Sequence, residues 1–260
     1  MDNGLKISVV TVSYNSEKTI RDTLESLYNQ SHNKIEYIII DGMSSDKTIE
    51  IIKEYELKFM STNTEFKWIS EKDNGIYDAI NKGIKVATGD VIGILNSDDY
   101  YTDDLILEDI NKAFLNENCD CLYGNLKYID PITEKVTRNW ISKPFENGLF
   151  EKSWTPAHPT FYCKKSIYNK HGLYRTDFEI AADVELMYRF LQKNHVKNYY
   201  MNRYFVTMRQ GGVSSSGLKS TIIITKEMIK AFRDNGSRLN LMKYLFYKGL
   251  KIKEFIINNN

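Results

Sequence analysis

The chain has 260 residues, a length that suits one large domain or two small ones. Its 42% hydrophobic and 27% charged residues predict a folded core and exclude wholesale disorder. The longest uninterrupted apolar runs, such as residues 91–95, fall far short of the roughly 18 residues that a membrane span needs. The formal net charge of +1 conceals two opposite halves, because residues 1–120 carry 12 basic and 23 acidic side chains and the remainder carries 23 and 11.

The first half of the sequence alternates strand and helix patterns. Apolar, β-branched runs predict strands over residues 6–13, 35–40, 66–70, 90–95 and 119–123. Apolar residues at helical spacing predict helices over residues 16–30, 45–55, 74–87 and 103–115. Strands separated by helices of this length are typical of βαβ units, so we expect an α/β fold with a mostly parallel sheet.

The pattern changes after about residue 130. Residues 126–129 and 135–140 predict a hairpin, and residues 154–161 form a loop rich in proline and aromatic residues. A helix is predicted over residues 181–191 and a strand over residues 197–208. A Gly/Ser-rich loop at residues 210–217 and two helices, over residues 219–233 and 239–257, complete the chain.

The first four predicted strands each end in polar or acidic residues. These endings are Ser13-Tyr14-Asn15, Asp41-Gly42, Glu71-Lys72-Asp73 and Asn96-Ser97-Asp98-Asp99. The carboxyl ends of parallel strands meet at one edge of a sheet, and ligands of open α/β sheets bind beyond that edge. The sequence therefore predicts a single acidic ligand-binding edge.

Two common phosphate-binding motifs are missing from the sequence. No G-x-G-x-x-G follows the first strand and no G-x-x-x-x-G-K-[ST] occurs, which argues against a dinucleotide site and against a P-loop. A divalent cation bound by carboxylates also neutralises a nucleotide diphosphate. Asp98-Asp99, after a buried strand, suits that purpose, although adjacent aspartates before a helix also occur as a turn that stabilises the helix N-terminus.

Four sequence blocks resemble a known enzyme family. They are TVSYN at residues 11–15, IIIDGMSSD at 38–46, SEKDNGIYDAINKGIKVATGDVIGILNSDDYY at 70–101 and AADVEL at 181–186. Their order and spacing, over roughly residues 5–215, resemble the family 2 glycosyltransferases of the GT-A fold. Among these the chain looks most like bacterial enzymes that extend O-antigen, capsule or exopolysaccharide repeat units.

The resemblance implies a Rossmann-like, mostly parallel sheet flanked by helices. It also implies three segments of the chain with different roles. Residues 1–130 would form the half that binds the nucleotide sugar. Residues 131–217 would form the half that binds the acceptor and carries the catalytic base. Residues 218–260 would form C-terminal amphipathic helices, outside most of the shared pattern.

The resemblance also implies a nucleotide site with a cation. The residues that would line the nucleotide pocket are Thr11, Tyr14, Asn15, Asp41, Asp73, Asn81 and Asp98. Asp41 would accept the uracil N3–H, which favours a UDP-sugar as the donor. Asp99 would bind Mn²⁺ or Mg²⁺, and Asp98 would reach the ribose or a metal-bound water. The usual D-x-D is replaced here by Ser97-Asp98-Asp99, so the choice between the two carboxylates is inferred.

Asp183 is the catalytic base that the resemblance implies. Glu185 lies two residues further on the same predicted helix and points to another face, so we assign it to structure or to solvent. The alternative for Asp183 is an ordinary acid in a first helical turn. Trp154 and His158 are candidates for contact with the acceptor or the diphosphate, with a buried aromatic anchor and a structural hydrogen bond as the respective alternatives.

The last predicted helix is basic and amphipathic. Such a segment can lie on an anionic membrane surface, where it would bring the site to a polyprenyl-diphosphate-linked acceptor. Packing on the sheet or on a second subunit of a homodimer is the alternative. The Gly/Ser-rich loop predicts a lid over the nucleotide or a plain linker. No nucleic-acid-binding module is recognisable, so nucleic acid is not an expected partner.

Three cysteines without metal-ligand spacing and the lack of a visible secretory signal favour a cytoplasmic protein, peripheral on the membrane face. We expect a metal-dependent, inverting glycosyltransferase that moves a hexose from a UDP-sugar to a hydroxyl of a lipid-linked or oligosaccharide acceptor. A sugar nucleotidyltransferase and a non-catalytic UDP-sugar-binding scaffold are the alternatives. No motif specifies the donor hexose.

Overall fold

One mixed sheet runs through the described residues, 4–211 and 218–257, of the computed structural model. Its strands are β1 (Ile7–Ser13), β2 (Ile35–Asp41), β3 (Glu65–Ser70), β4 (Val91–Ile94), β5 (Asp99–Tyr101), β6 (Cys121–Ile129), β7 (Val136–Trp140), β8 (Tyr162–Lys164) and β9 (Asn198–Arg209). Residues 212–217, which contain most of the predicted Gly/Ser-rich lid, lie outside the described residues.

Helices flank this sheet and connect its strands. They are α1 (Ile20–Tyr28), α2 (Thr48–Phe59), α3 (Ile76–Val86), α4 (Ile106–Asn116), α5 (Lys165–His171), α6 (Ala182–Met187), α7 (Leu218–Asp234) and α8 (Leu241–Ile257). A π-helical segment, Tyr188–Lys193, continues α6, so the helix predicted over residues 181–191 is present but changes its hydrogen-bonding pattern midway.

The sheet is parallel on one side and mainly antiparallel on the other. Strands β3, β2, β1 and β4 are parallel neighbours in that order. Beyond them, β8 is antiparallel to both β4 and β6, and β9 runs parallel to β6. Two further strands pair in antiparallel fashion, β5 with β9 and β7 with β6. The predicted α/β class is confirmed. The run of adjacent parallel strands is confined to the half built from the early βαβ units, and β6 and β9 form one further parallel pair.

Three strands differ from the sequence prediction. The nine-residue β6 was expected as two pieces, since Gly124 interrupts its apolar pattern. The glycine is needed because β9 passes close by: a Cβ at residue 124 would lie 2.7 Å from the Arg203 carbonyl oxygen. Strands β5 and β8 have only three residues each and so carry no periodic signal.

Two core clusters cover the two faces of the sheet. Val10 belongs to one cluster and its neighbour Val9 to the other, as the alternation of side chains along a strand requires. The cluster that contains Val10 also contains Phe150 and, from α7, Phe232. All three segments of the predicted division therefore contribute to one core, and the boundaries between them stay a prediction.

Helix α8 is only partly packed on the rest of the chain. Tyr244 is buried, and Lys243 forms an ion pair with Glu151 at 3.2 Å. Met242 and Phe246 are 85% and 64% exposed, so an apolar face of the helix is left uncovered. Among the helices of the described residues, none has both the length and the apolar character needed to cross a bilayer.

A buried carboxylate connects the parallel strands. Glu36 of β2 accepts hydrogen bonds from Ser8 Oγ at 2.5 Å, Lys67 Nζ at 2.7 Å, and Thr88 N and Oγ1 at 2.6 and 2.8 Å. Burial alone would raise the pKa of Glu36, but these hydrogen bonds outweigh it and lower the pKa from 4.5 to about 2. The ionised carboxylate thus stabilises the folded sheet.

We expect Glu36 to make the protein sensitive to acid. Its carboxylate protonates near pH 4.5 in the unfolded chain but only near 2 in the folded one, so its stabilisation is complete above about pH 5 and is lost as the pH falls toward 2. The difference corresponds to about 3 kcal/mol. Urea unfolding of Glu36→Gln between pH 5.5 and 3 should show a smaller free energy and a weaker pH dependence than wild type. Glu65→Gln, an exposed partner of Lys67, is the control; equally steep profiles for wild type and Glu36→Gln would contradict the assignment.

Candidate active site

The acidic residues after β2 and β4 lie at the same edge of the sheet. Strand β1 is in the middle, paired in parallel with β2 on one side and β4 on the other. Asp41 ends β2, and Asp98 and Asp99 come a few residues after β4. The Oγ atoms of Ser16 and Ser97, 2.8 Å apart, join the loops that follow β1 and β4.

Asp41 is buried and fully hydrogen-bonded within the protein. Its Oδ1 accepts from Ser13 Oγ at 3.0 Å and Ser44 Oγ at 2.5 Å, and its Oδ2 accepts from Ser44 N at 2.9 Å and Ser70 Oγ at 2.7 Å. The carboxylate therefore holds the ends of β1, β2 and β3 together. The predicted contact with uracil N3–H stays a prediction, and it requires one of these hydroxyls to give way.

Tyr14, Gly42 and Asp73 form the accessible part of this edge. Tyr14 is 67% exposed, and Asp73 is half-buried with its Oδ1 accepting from Gly75 N at 2.9 Å. A Cβ at residue 42 would lie 2.6 Å from Asp73 Oδ2 and 3.4 Å from Tyr14 Cδ2. Only glycine lets an aromatic ring and a carboxylate approach the end of β2 this closely.

Three other residues predicted for the nucleotide pocket make contacts within the protein. Thr11 is fully buried, with its hydroxyl 3.1 Å from that of Tyr37. Asn81 exchanges hydrogen bonds of 2.8 and 2.9 Å with the backbone of Tyr174. Asn15, in a left-handed conformation with φ of 48°, accepts at 2.9 Å from the backbone of the loop after β2. The structure does not bring the side chains of Thr11 and Asn81 to the open edge.

Asp99 combines complete burial with an unsatisfied oxygen. Its Oδ2 accepts from Asn96 Nδ2 at 3.3 Å, whereas its Oδ1 has no hydrogen-bond partner among residues 4–211 and 218–257. Burial, together with the adjacent Asp98 carboxylate, raises the pKa of Asp99 well above its usual range. Burial also raises the pKa of the partly exposed Asp98, with Arg209 and His158 acting in the opposite direction.

The Asp98-Asp99 pair fits a cation that arrives with a diphosphate. The Asp99 Oδ1 has no partner among the described residues and so retains its capacity to accept a ligand once it is exposed. Mg²⁺ is usually bound by one or two carboxylates, with substrate phosphates and waters supplying the other ligands. In the ranges that the structure describes, no group of three or more His, Cys, Asp or Glu side chains is arranged to hold a metal. The residues thus suit an ion shared with the ligand better than an all-protein metal centre.

The sequence patterns did not single out Arg209, which lies beside this pair. Its Nη1 donates to the Asp98 carbonyl oxygen at 2.9 Å, its Nη2 donates to the Asp22 carboxylate, and its guanidinium lies 5.2 Å from the Tyr100 ring centre. The side chain places a positive charge next to Asp98 and Asp99. One arginine at the end of a strand forms no motif, so only the fold could identify it.

Asp183 and His158 form a pair near Asp98. Asp183 lies in the first turn of α6, and its Oδ2 is 3.2 Å from His158 Nδ1. Their side chains are 18% and 33% exposed, so both reach the surface. The turn that contains His158 packs against β4, and His158 is close enough to Asp98 to oppose the rise in the Asp98 pKa that burial causes. The predicted base, His158 and Asp98 therefore lie in one region.

Trp154 and Glu185 both lie inside the protein. The Trp154 ring packs edge-on against Tyr123 and Phe150, with ring centres 6.2 and 6.3 Å apart. The structure thus places Trp154 where the buried-anchor alternative would have it. Glu185 is buried and accepts hydrogen bonds from Arg189, so its role is structural.

Residues 8–175 match the model of the family described as glycosyl transferase family 2. The chain belongs to this family. An uncharacterised glycosyltransferase of Mycobacterium tuberculosis is 30% identical over 195 residues, which cover 73% of this chain and 70% of the relative. A dolichyl N-acetyl-α-D-glucosaminyl phosphate 3-β-D-2,3-diacetamido-2,3-dideoxy-β-D-glucuronosyltransferase of Methanococcus voltae is 29% identical over 197 residues, covering 70% and 57%.

A solved structure supports the fold of this family 2 glycosyltransferase. The crystal structure of S. aureus TarS 1–349 in complex with UDP-GlcNAc superposes with a TM-score of 0.63 at 20% identity. The match covers 87% of this chain and 66% of that one, so the chain spans slightly less than two thirds of the solved fragment. The predicted GT-A fold is confirmed.

Asp99 should cost the ligand-free protein stability. Burial raises the pKa of Asp99, so at pH 7 its carboxylate is less favourable in the folded chain than in the unfolded one, whereas an amide of the same shape carries no charge. We therefore expect Asp99→Asn to raise the melting temperature at pH 7 by a few degrees in the absence of nucleotide and divalent ions. Asp98→Asn, which alters a partly exposed group, should give a smaller gain. If scanning calorimetry finds Asp99→Asn no more stable than wild type, the buried Asp99 carboxylate does not destabilise the protein.

Proposed function

We propose that this family 2 enzyme is a metal-dependent, inverting glycosyltransferase that moves a hexose from a UDP-sugar to a hydroxyl of a lipid-linked or oligosaccharide acceptor in bacterial surface polysaccharide biosynthesis. The observation that carries the proposal is the Asp183–His158 pair, which lies in the same region as Asp98. The proposed site thereby contains a carboxylate for the acceptor proton and carboxylates for the ion that accompanies the leaving diphosphate.

The proposed donor is a UDP-sugar bound at the carboxyl edge of β1, β2 and β4. The exposed Tyr14 ring offers a face for the base, and the oriented Asp73 carboxylate lies next to it across Gly42. The TarS structure of the same fold contains UDP-GlcNAc, which favours uridine as the nucleoside here. We propose the hexose class on the family resemblance.

The proposed cofactor is Mn²⁺ or Mg²⁺, with Asp99 as its protein ligand and Asp98 beside it. When bound, the ion neutralises charge that develops on the leaving diphosphate. The chain adds the Arg209 guanidinium, which is held against the Asp98 carbonyl and supports negative charge at the same place. Opening of the Asp99 carboxylate toward the cleft is part of the proposal, since this side chain is buried in the ligand-free protein.

The proposed base is Asp183, which takes the proton from the acceptor hydroxyl as that oxygen attacks the anomeric carbon. His158 Nδ1 lies 3.2 Å from Asp183 Oδ2, and in the proposal a proton on this nitrogen fixes the direction of the carboxylate. Inversion requires the acceptor and the leaving diphosphate to lie on opposite faces of the sugar. Positioning of the two substrates by the cleft supplies that in-line arrangement.

We propose a lipid-linked acceptor on two grounds. The Methanococcus voltae relative is named for transfer to a dolichyl phosphate-linked sugar. In this chain, α8 presents exposed Met242, Leu245 and Phe246 on one face, and its sequence contains four lysines, a combination that suits contact with an anionic membrane surface. A second copy of the chain covering this face, as in a homodimer, is the alternative.

A screen of UDP-sugars with Mn²⁺ separates the proposal from its rivals. A glycosyltransferase releases UDP from one donor, and the release accelerates when a suitable acceptor is added. A nucleotidyltransferase releases diphosphate instead of UDP. A non-catalytic scaffold binds UDP in calorimetry without turnover of any donor in the panel.

Asp183→Asn should remove catalysis without removing the donor. The amide keeps the shape and the His158 contact but cannot take a proton, so turnover should fall by about 100- to 10,000-fold. The affinity for UDP, measured by calorimetry, should stay within about twofold. Glu179→Gln, an exposed acid four residues earlier, is the matched control and should retain wild-type turnover. Near-normal rates for Asp183→Asn would move the base elsewhere.

Asp99→Asn should uncouple the nucleotide from the metal. In the wild type, Mn²⁺ should strengthen UDP binding at least tenfold, about 1.4 kcal/mol, because the ion links the diphosphate to the carboxylate. The variant should bind UDP equally well with and without Mn²⁺, and Asp104→Asn, an exposed acid in the following turn, should behave like wild type. Calorimetric titrations in which the variant retains the full effect of Mn²⁺ would remove Asp99 from the metal site.

A further inference from the structure

Helix α7 contacts the segment that carries the base, although it lies outside the residues that match the family model. The contact is made by Glu227, a buried acid whose carboxylate faces the backbone of residues 179–181. We propose that Glu227 is a positioning residue that holds Asp183 in the orientation needed for proton transfer. This inference rests on the proposed function of Asp183.

Three consecutive backbone N–H groups converge on the Glu227 carboxylate. Glu179 N–H donates to Oε1, and Ile180 N–H and Ala181 N–H donate to Oε2 at 3.1 and 2.8 Å. Hydrogen bonds from a backbone N–H to an ionised carboxylate are about twice as strong as neutral ones. One side chain of α7 therefore fixes the main chain up to two residues before Asp183.

The same segment is held from the opposite side by α3. The Tyr77 hydroxyl donates to the Ile180 carbonyl oxygen, and burial together with the Asp183 carboxylate raises the pKa of Tyr77. The Ala181 carbonyl oxygen then accepts the first hydrogen bond of α6, from Glu185 N–H at 2.9 Å. The N–H groups and a carbonyl group of the segment are thus both held by hydrogen bonds. Together these bonds set the direction in which α6 starts.

Glu227 does not itself reach the reacting atoms. It is buried, and its two oxygens are occupied by main-chain donors. A carboxylate in this state neither takes a proton from an acceptor nor binds an ion. Its effect on the reaction passes through the backbone to Asp183.

Helix α7 has further attachments that do not involve Glu227. Lys230 Nζ donates to the Asp177 carbonyl oxygen at 2.7 Å, and Asn235, directly after the helix, donates through Nδ2 to Glu185 Oε1 at 2.9 Å. Met228 and Phe232 are buried in the core. Loss of the Glu227 carboxylate therefore releases residues 179–181 without undocking the helix.

Glu227→Gln tests the role of the carboxylate. The amide has one acceptor oxygen, and its NH₂ group would face a backbone N–H, so the segment should loosen. Hydrogen exchange of a peptide covering residues 178–184 should accelerate about tenfold in the variant. The kcat for UDP release, from the UDP-sugar that the wild type turns over, should fall about 10- to 100-fold, with the donor KM and the Kd for UDP within about twofold.

Two further variants separate positioning from general stability. Glu227→Asp keeps the charge and should restore part of the lost kcat, because a small shift of α7 lets the shorter carboxylate reach the N–H groups. Lys230→Met removes a neighbouring contact of the same helix. It should leave both the exchange of the 178–184 peptide and the kcat within about twofold of wild type.

The outcomes test the positioning role of Glu227 separately from the proposed glycosyltransferase function. A wild-type kcat in Glu227→Gln, an equal loss in Lys230→Met, or a loss expressed mainly in the donor KM would overturn the positioning role. If the wild type turns over no UDP-sugar, the proposed function fails on its own. The exchange measurement then decides whether Glu227 holds the segment, and unchanged exchange in Glu227→Gln refutes it.

Discussion

Parallel pairing of β1 with both β2 and β4 is the constraint on which the site depends. The pairing puts the carboxyl ends of three buried strands side by side, and the polar residues that follow them have to share one edge. Carboxylates gathered in this way repel one another and lose hydration, so each needs donors or an ion. The strand ends and loops at this edge accordingly provide hydrogen-bond donors. At Asp41 these donors are serine hydroxyls and a backbone N–H group.

Asp41 and Asp99 are both buried at this edge but differ in their hydrogen bonding. Asp41 has four donors and joins three strand ends, which makes it part of the framework of the edge. Asp99 has one donor, and within the part of the chain that the structure describes its second oxygen has none, which leaves that carboxylate with capacity for a further donor or an ion. The two buried aspartates thus differ in the number of donors around them, a difference that motif matching does not register.

The sequence sufficed for the α/β class, the early strands and the acidic edge, because long apolar runs and polar strand ends are local signals. It did not reveal the three-residue strand that begins at Asp99, since pairing with β9 creates that strand. The burial of Thr11 and Trp154 depends on contacts with Tyr37 and Tyr123, which the fold brings from other parts of the chain. Arg209 and Glu227 act through partners about 50 to 110 residues away, and no spacing in the chain encodes such contacts.

The tie between α7 and the start of α6 bears on how such enzymes can diverge. The segment preceding Asp183 presents three N–H groups in a row, and they take their partner from a helix roughly 46 residues later. A hybrid protein that keeps residues 179–181 but takes α7 from another relative would retain those donors with no guarantee of an acceptor. Exchange of this helix between relatives, by recombination or in the laboratory, therefore preserves the support of the segment only where the new helix carries an acid at the equivalent turn.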